Sequence, residues 1–442
     1  MFKPISVVFP EASTYPQNVY KAVLYQKIYE HEMLVLTFKD WDVIFDEVRP
    51  GTPVSAKITG SISARDFFGY IHHIVPNNSP GKRFTEVVCI GGSFPMKQAS
   101  RKVYREHTAD MVVGDICRKH NLSFIGIPHP RVFDQVSQAG YTGWQMAVKL
   151  AKQIGYTLRA ENTEVYFEPV LNDYAKYRLA ASKFVMRDTA DPRGSTLYSF
   201  QPLIGESLEF DGEMKAAVAV SGVDRFAKVP MSQTKQKRNT KTRSKAQDEF
   251  FDRFNSLVVA PNAEIAKYES EAAEARTSFP YRGQATVLGD PSLRPNMPVF
   301  LDGLGNTYSG FWTILGTEHV MVETERNVYT YTTNLSIGSD SVGLSQTVGG
   351  VAIAAPPDRP LRVVTPGIKQ TKTKAGTKLV QSRARTNNRN TASFGKIENR
   401  SKVTAKVKTP AVWKSSNPTP KVKFVDKKVS SLAVASRKKG PR

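Results

Sequence analysis

The sequence predicts a mainly β protein with an α/β insert. It reads as two small antiparallel β-barrels per chain, a helical hairpin interrupting the second, and an extended basic C-terminal tail. Three observations carry this. Through the first hundred residues, short apolar or alternating runs recur at roughly ten-residue spacing, divided by Gly, Pro and Asn, as in a small barrel or sandwich. The pattern R-P-x-x-P-V occurs twice, as RPGTPV at Arg49–Val54 and RPNMPV at Arg294–Val299, each time leading into a glycine-punctuated β pattern. The charge is concentrated in one place. Of the net +22, 23 Lys and Arg against two acids lie between Arg359 and Arg442, while the other 358 residues hold 39 basic and 38 acidic side chains.

The first barrel spans residues 1–100. Its strands are HEMLVLTF, WDVIFDEV, PVSAKITG, DFFGYIHHIV and TEVVCIGGSF. Gly51, after Pro50, marks a turn, and Gly69, after two Phe inside a strand pattern, marks a bulge or sharp bend. An α/β domain follows over 101–195. Thr108 caps a helix that ends near Asn121, and YTGWQMAVKLAKQIGY is a second helix, opened by Thr142 or Gly143 and closed by Gly155. The strand EVYFEP comes next.

The second barrel occupies 196–345, with strands STLYSFQPL, MKAAVAVSGVD, QATVLGD, MPVFLDG, GFWTILGTEHVMV and VYTYTTNLSIG. It is interrupted at about 231–280 by a basic loop, MSQTKQKRNTKTRSK, and by two helical stretches, SKAQDEFFDRFNSL and APNAEIAKYESEAAEAR. Such an interruption costs little, because loop-closure entropy grows only logarithmically with length. The 346–442 tail is rich in Lys, Thr, Ser, Pro and Ala and is expected to be disordered unless bound to a partner. The repeated motif, with β regions of similar size around each copy, predicts internal duplication.

Other classes leave little trace. No apolar run approaches the roughly 18–20 residues of a membrane span, and the opening MFKPISVVFPEAS does not read as a signal peptide. Cys89 and Cys117 sit among apolar neighbours and read as core thiols made in a reducing cytoplasm. None of the seven His falls in an HExxH motif or at zinc-site spacing. His72 and His73 are expected on opposite faces of a strand. GKRFT at Gly81 lacks the upstream glycine of a phosphate loop, and there is no GxSxG. The expectation is a protein without catalysis, cofactor or metal.

Three passages carry a resemblance: VVGDICRKHNLSFIGI, QVSQAGYTGWQMAVKLAKQIGYTLRAENTEVYF, and GQATVLGDPSLRPNMPVFLDGLG continued by GFWTILGTEHVM and YTYTTNLSI. In their order the chain resembles the phage tail hub family, which includes baseplate hubs, late control protein D and the base of type VI secretion spikes. The resemblance implies a homotrimer whose two barrels per chain make a pseudo-sixfold ring. It implies a tail tube or distal tail protein above, spike or fibre proteins below, and the tape measure protein and then DNA in the lumen. It places the chain in the virion, at the tail tip or baseplate. The helical hairpin and the basic tail depart from the family pattern.

The tail is therefore read by itself. Lys402, Lys406, Lys408, Trp413, Lys421, Lys423, Phe424, Lys427, Lys428, Arg437, Lys438 and Lys439 are its candidate partner-binding residues, suited to threading across acidic neighbouring subunits. The alternative is a basic nucleic-acid-binding assembly protein, since such a tail would condense on a polyanion with strong salt dependence. With aromatics reduced to Phe394, Trp413 and Phe424, the tail lacks a stacking platform for single strands.

Overall fold

The computed structural model describes residues 4–10, 19–39, 48–60, 63–79, 82–171, 173–187, 194–203, 217–223, 230–236, 254–255, 260–276, 278–279, 281–325, 328–340, 347–348 and 351–356. The chain divides into two compact units, Met1–Ile368 and Lys369–Arg442. The second unit and the WDVIFDE part of one expected strand lie outside the described residues.

Six strands form the first half: β1 (Ile5–Val8), β2 (Val19–Lys27), β3 (Met33–Lys39), β4 (Pro53–Thr59), β5 (Ala64–Ser79) and β6 (Lys82–Gly91). Alternation drives them. In β3 every second residue, Leu34, Leu36 and Phe38, is buried, and in β4 Val54, Ala56 and Ile58 are. Their inward side chains make one core that also takes residues from β1 and β2 at the two ends of the half-sheet. The half-sheet therefore curls around its own core.

The α/β module comprises β7 (Val103–Thr108), α1 (Ala109–Lys119), β8 (Ser123–Gly126), β9 (Val132–Ser137), α2 (Gly143–Ile154), β10 (Tyr156–Glu161) and β11 (Glu164–Pro169). Thr142 and Gln145 form a capping box at the start of α2, and Gly155 closes it in the left-handed region at φ 71°. Asn121, also left-handed at φ 55°, follows the end of α1. Strands β10, β11 and β8 make one small sheet, and β7 pairs with β9.

The second half is β12 (Ser182–Val185), β13 (Leu197–Leu203), β17 (Tyr281–Leu288), β18 (Pro298–Asp302), β19 (Gly310–Glu325) and β20 (Val328–Ser339), around a separate core centred on Trp312, Ile314 and Leu335. Between β13 and β17 lie β14 (Ala217–Val223), β15 (Pro230–Gln236), β16 (Phe254–Asn255) and α3 (Ala263–Arg276). The expected hairpin is thus corrected in two places. Met231–Gln236, expected as loop, is strand paired with β14, and Phe254–Asn255, expected as helix, pairs in parallel with β14. A ladder needs only main-chain donors and acceptors, so a polar run can join it once an apolar strand lies alongside.

The two halves share one topology. Numbered by chain order within each half, both run 2-3-6-5-4-1 across the sheet. Both carry a bulge in the second strand, at Tyr20 and Tyr198, and another in the fifth, after Ile71 and after Ile314. The repeated motif falls in register. Pro53 lies opposite Tyr70 and Pro298 opposite Thr313, each time beside the residue that precedes the bulge strand's Ile. One difference remains: β1 is antiparallel to β4, whereas β12 is parallel to β18.

The expectation of two separate barrels is corrected. All twelve strands belong to one sheet, β1-β4-β5-β6-β3-β2-β19-β20-β17-β13 with β18 and β12 alongside β19, and no ladder closes it among the described residues. The cause is the length of β19. Its first residues pair with β18, while Gly316–Val322, past the bulge, run on beyond β18 and take β2 of the first half. Gly69 stands two residues ahead of its bulge and marks a close approach instead, since a Cβ there would come 2.3 Å from the Ile90 carbonyl oxygen.

Candidate functional site: a charged junction behind a polar sheet face

The α/β module meets both halves at the β2–β19 seam. The turn between β10 and β11 carries Asn162, left-handed at φ 53°, whose side-chain oxygen accepts from the Phe68 amide at 2.9 Å. The Asn162 amide donates to Glu32 Oε2 at 3.0 Å. Gly92 admits this turn, since a Cβ there would lie 2.3 Å from the Asn162 carbonyl oxygen.

Around that turn six charged side chains from distant parts of the chain converge. Arg65 on β5 donates to Glu32 Oε1 at 2.8 Å and lies 3.5 Å from Glu161 at the end of β10. Arg294, of the second R-P-x-x-P-V motif, donates to Glu161 Oε2 at 2.6 Å. Arg159 reaches both Glu161 and Glu168, each at 3.3 Å. Gln26 adds a hydrogen bond to Glu32 Oε1 at 3.0 Å. Burial pushes the Glu32 carboxyl up to about 7, against the pull of Arg65. Burial also raises Glu161, but the Arg294 hydrogen bond and the charges of Arg65, Arg294 and Arg159 outweigh it and hold that carboxyl below its ordinary range.

His319 of β19 lies in the same interior. The Leu293 carbonyl, 3.2 Å from Nε2, can only accept, so Nε2 carries the proton and Nδ1 is the acceptor, with the Tyr331 and Thr333 hydroxyls at 3.0 and 3.1 Å within reach of its lone pair. Burial brings its pKa down to about 3, so the ring is neutral. Glu32, Arg65 and Glu161 are buried at the centre of the cluster, while Arg294 and Glu168 keep part of their side chains at the surface. What it does is fix the module and both half-sheets in one arrangement.

Opposite this interior the sheet presents a polar face. Tyr25, Glu318, Asn334 and Thr286 form a row across β2, β19, β20 and β17. Asn334 donates to Glu318 at 3.1 Å and Thr286 to Asn334 at 3.0 Å. Burial, and then Glu318 at its side, raise the Tyr25 hydroxyl pKa. The row floors a groove of about 590 Å³ that crosses the seam.

His72 and His73 do not point apart. The bulge at this point breaks the alternation, and their Nδ1 atoms are 2.8 Å apart. Among the described residues no three His, Cys, Asp or Glu gather around one ion position. The tail residues from Lys402 to Lys439 named above lie outside the described residues. Of the junction, sequence reading had singled out only Arg294, as part of a repeated pattern. Glu32, Arg65 and Glu161 carry no local signal, because the ion pairs that join the parts, Arg65 with Glu32 and Arg294 with Glu161, span 33 and 133 residues.

This open, mainly β sheet with its α/β module is a phage tail or baseplate hub-like fold. The chain is similar in structure to the 43 kDa tail protein of prophage MuSo2 from Shewanella oneidensis, at TM-score 0.55 and 11% identity, over 76% of this chain and 98% of that one. It is similarly related to a tail protein from Neisseria meningitidis MC58, at TM-score 0.55 and 12% identity, over 76% and 96%. By sequence, no family model and no curated protein matches the chain.

Proposed function

We propose that the protein is a structural hub of a phage tail tip or baseplate and acts in the virion without catalysis. The observation that carries this is the common strand order of the two halves, down to the position of both bulges. A duplicated unit lets three chains present six quasi-equivalent half-sheets. Such a homotrimer can match a hexameric tail tube or distal tail protein on one side and a trimeric spike or fibre complex on the other. The sheet face with the Tyr25–Glu318–Asn334–Thr286 row suits a lumen through which the tape measure protein and DNA pass, since it offers a line of hydrogen-bonding groups across the seam. In this reading residues 1–100 and 196–345 are the ring-forming parts and 101–195 the module that fixes them. The basic tail, through Lys402 to Lys439, threads across acidic neighbours.

The test is solution mass at about 0.5 M salt, where nonspecific electrostatic contacts are largely screened. The whole chain is compared with the chain ending at Gly350. A trimer in both supports the hub and assigns the tail to partners outside the ring. The charge of the tail favours one second reading, a nucleic-acid-binding assembly protein. Monomers in both cases, with DNA affinity of the whole chain falling linearly in log K against log salt, would establish that reading instead.

A further inference from the structure

On the α/β module, α1 and β7 enclose a groove of about 650 Å³ that takes no part in the junction. Its walls follow from two periodicities. In α1, Val112, Val113, Ile116 and Cys117 turn into the core. That leaves Met111, Asp115 and Arg118, spaced i, i+4 and i+7, as the opposite ridge. In β7, Tyr104 is buried and the alternation puts Val103 and Arg105 outside, with Gln135 of β9 opposite Arg105. Lys102 and His107 complete the lining.

The lining sets three cations, Lys102, Arg105 and Arg118, against one carboxylate. That carboxylate is already engaged. Lys102 donates to Asp115 Oδ2 at 2.5 Å and the Tyr104 hydroxyl to the same oxygen at 3.1 Å, while Arg118 lies 3.7 Å from Oδ1. The hydrogen bond from Lys102 leads in holding the Asp115 carboxyl below its ordinary range. Lys102 also lies over the Tyr104 ring, 4.8 Å from its centroid. Two cations are thus held at the wall, and Arg105 has no ion-pair partner among the described residues.

Single exposed apolar side chains are ordinary on a surface. Here two of them, Met111 at 56% and Val103 at 46%, border the same cationic groove. Six of the eleven exposed large apolar residues described lie between Val103 and Tyr141, so the module, rather than the sheet, carries the apolar surface that a partner would cover.

We propose that this groove docks an acidic segment of another protein, with carboxylates on Arg105 and the neighbouring cations and an apolar side chain against Met111 and Val103. Every lining residue belongs to the module, so the site holds whether or not copies of the chain form a ring. A nucleic acid fits less well. Asp115 would repel its phosphates, Met111 and Val103 would offer them nothing, and Tyr104, 4% exposed, cannot stack a base.

The probe is a displayed library of random peptides, selected on the full chain. The basic tail attracts acidic peptides by itself, so the library is first depleted on a full-length Arg105→Glu/Met111→Ser variant, which keeps the tail and alters only the groove. Surviving peptides are labelled and titrated at about 0.1 M salt. They are expected to carry Asp or Glu beside Leu, Ile, Met or Phe. Each is expected to lose about tenfold in affinity on Arg105→Glu and to weaken on Met111→Ser and with added salt. Exchanging their acids for Lys should restore binding to Arg105→Glu. Both side chains are exposed, so urea midpoints should match wild type, and Arg105→Gln removes the charge without reversing it should the reversal perturb the fold.

No survivors, or survivors that bind Arg105→Gln and Met111→Ser as tightly as wild type, overturn the site. Survivors without acids overturn the charge match. Short single-stranded DNA that depends on Arg105 where no peptide does would put a nucleic acid there instead. A solution mass that falls on Arg105→Glu would put a second copy of this chain on the groove, and so overturn the foreign partner.

Discussion

Arg65 and Glu32 face each other across 2.8 Å in the interior, with side chains 1% and 0% exposed. One comes from a strand of the first half and the other from the turn that leads into β3. Their neighbours Glu161 and Arg294 come from the module and from the second half. The pair is therefore the electrostatic centre of the contact among all three parts.

Removing one partner strands the other. Arg65→Met leaves Glu32 without its ion-pair partner and Glu161 without one of its cations, and the expected loss is roughly 3–5 kcal/mol, measured by urea unfolding. Combining Arg65→Met with Glu32→Gln removes the stranded charge as well. The double variant is expected to be more stable than Arg65→Met alone, and a double-mutant cycle reads the difference.

The raised Glu32 pKa sets a pH dependence of definite sign. Between its ordinary 4.5 and about 7 the folded chain holds a proton that the unfolded chain has released. Stability from this group is present below about pH 4.5 and is lost as pH rises to about 7. His319, lowered to about 3 by burial, acts in the opposite sense, losing its contribution as pH falls below its ordinary 6.5. Comparing wild type with Glu32→Gln isolates the first effect. The variant is expected to gain up to roughly 3 kcal/mol relative to wild type between pH 5 and 7, read as the midpoint shift in urea titrations.

Gly69 lies against main chain, so the strand cannot accommodate a methyl group without moving. The Ile90 carbonyl oxygen would be 2.3 Å from the new Cβ and the Phe67 ring 2.8 Å. Gly69→Ala is expected to cost about 1–3 kcal/mol in thermal or urea unfolding.

Cys89 and Cys117 are both buried, and burial pushes each thiol up to about 12. Neither is expected to react with a thiol reagent at neutral pH while the chain is folded. Labelling should follow the rate of opening and become complete in denaturant, which mass spectrometry resolves for each thiol.

The local elements were legible because the residues that make them are adjacent. Thr142, Gln145 and Gly155 announce the ends of α2 and occupy the expected cap positions. Leu34, Leu36 and Phe38 alternate as a half-buried strand must. The repeated R-P-x-x-P-V pattern was visible as a pattern, and its second prolines stand on equivalent rungs of the two halves.

Partner choice was not legible. β2 buries Ala22, Val23 and Leu24 in succession because it is packed on both faces at the seam, so its sequence does not alternate. The same strand joins the halves, through pairs such as Tyr25 with Glu318, and no rule of adjacent residues connects positions so far apart. Bulges undo alternation in a single step, which is why His72 and His73 meet. The charges at the junction look like ordinary surface residues until the chain folds, and only burial makes them a unit. Sequence alone determined elements such as β3 and α2, through periodicity and capping, but not β15 and β16, which form by pairing with β14. The tertiary structure decided that two expected barrels are one open sheet, because hydrogen-bond ladders and buried charges choose partners by position in space.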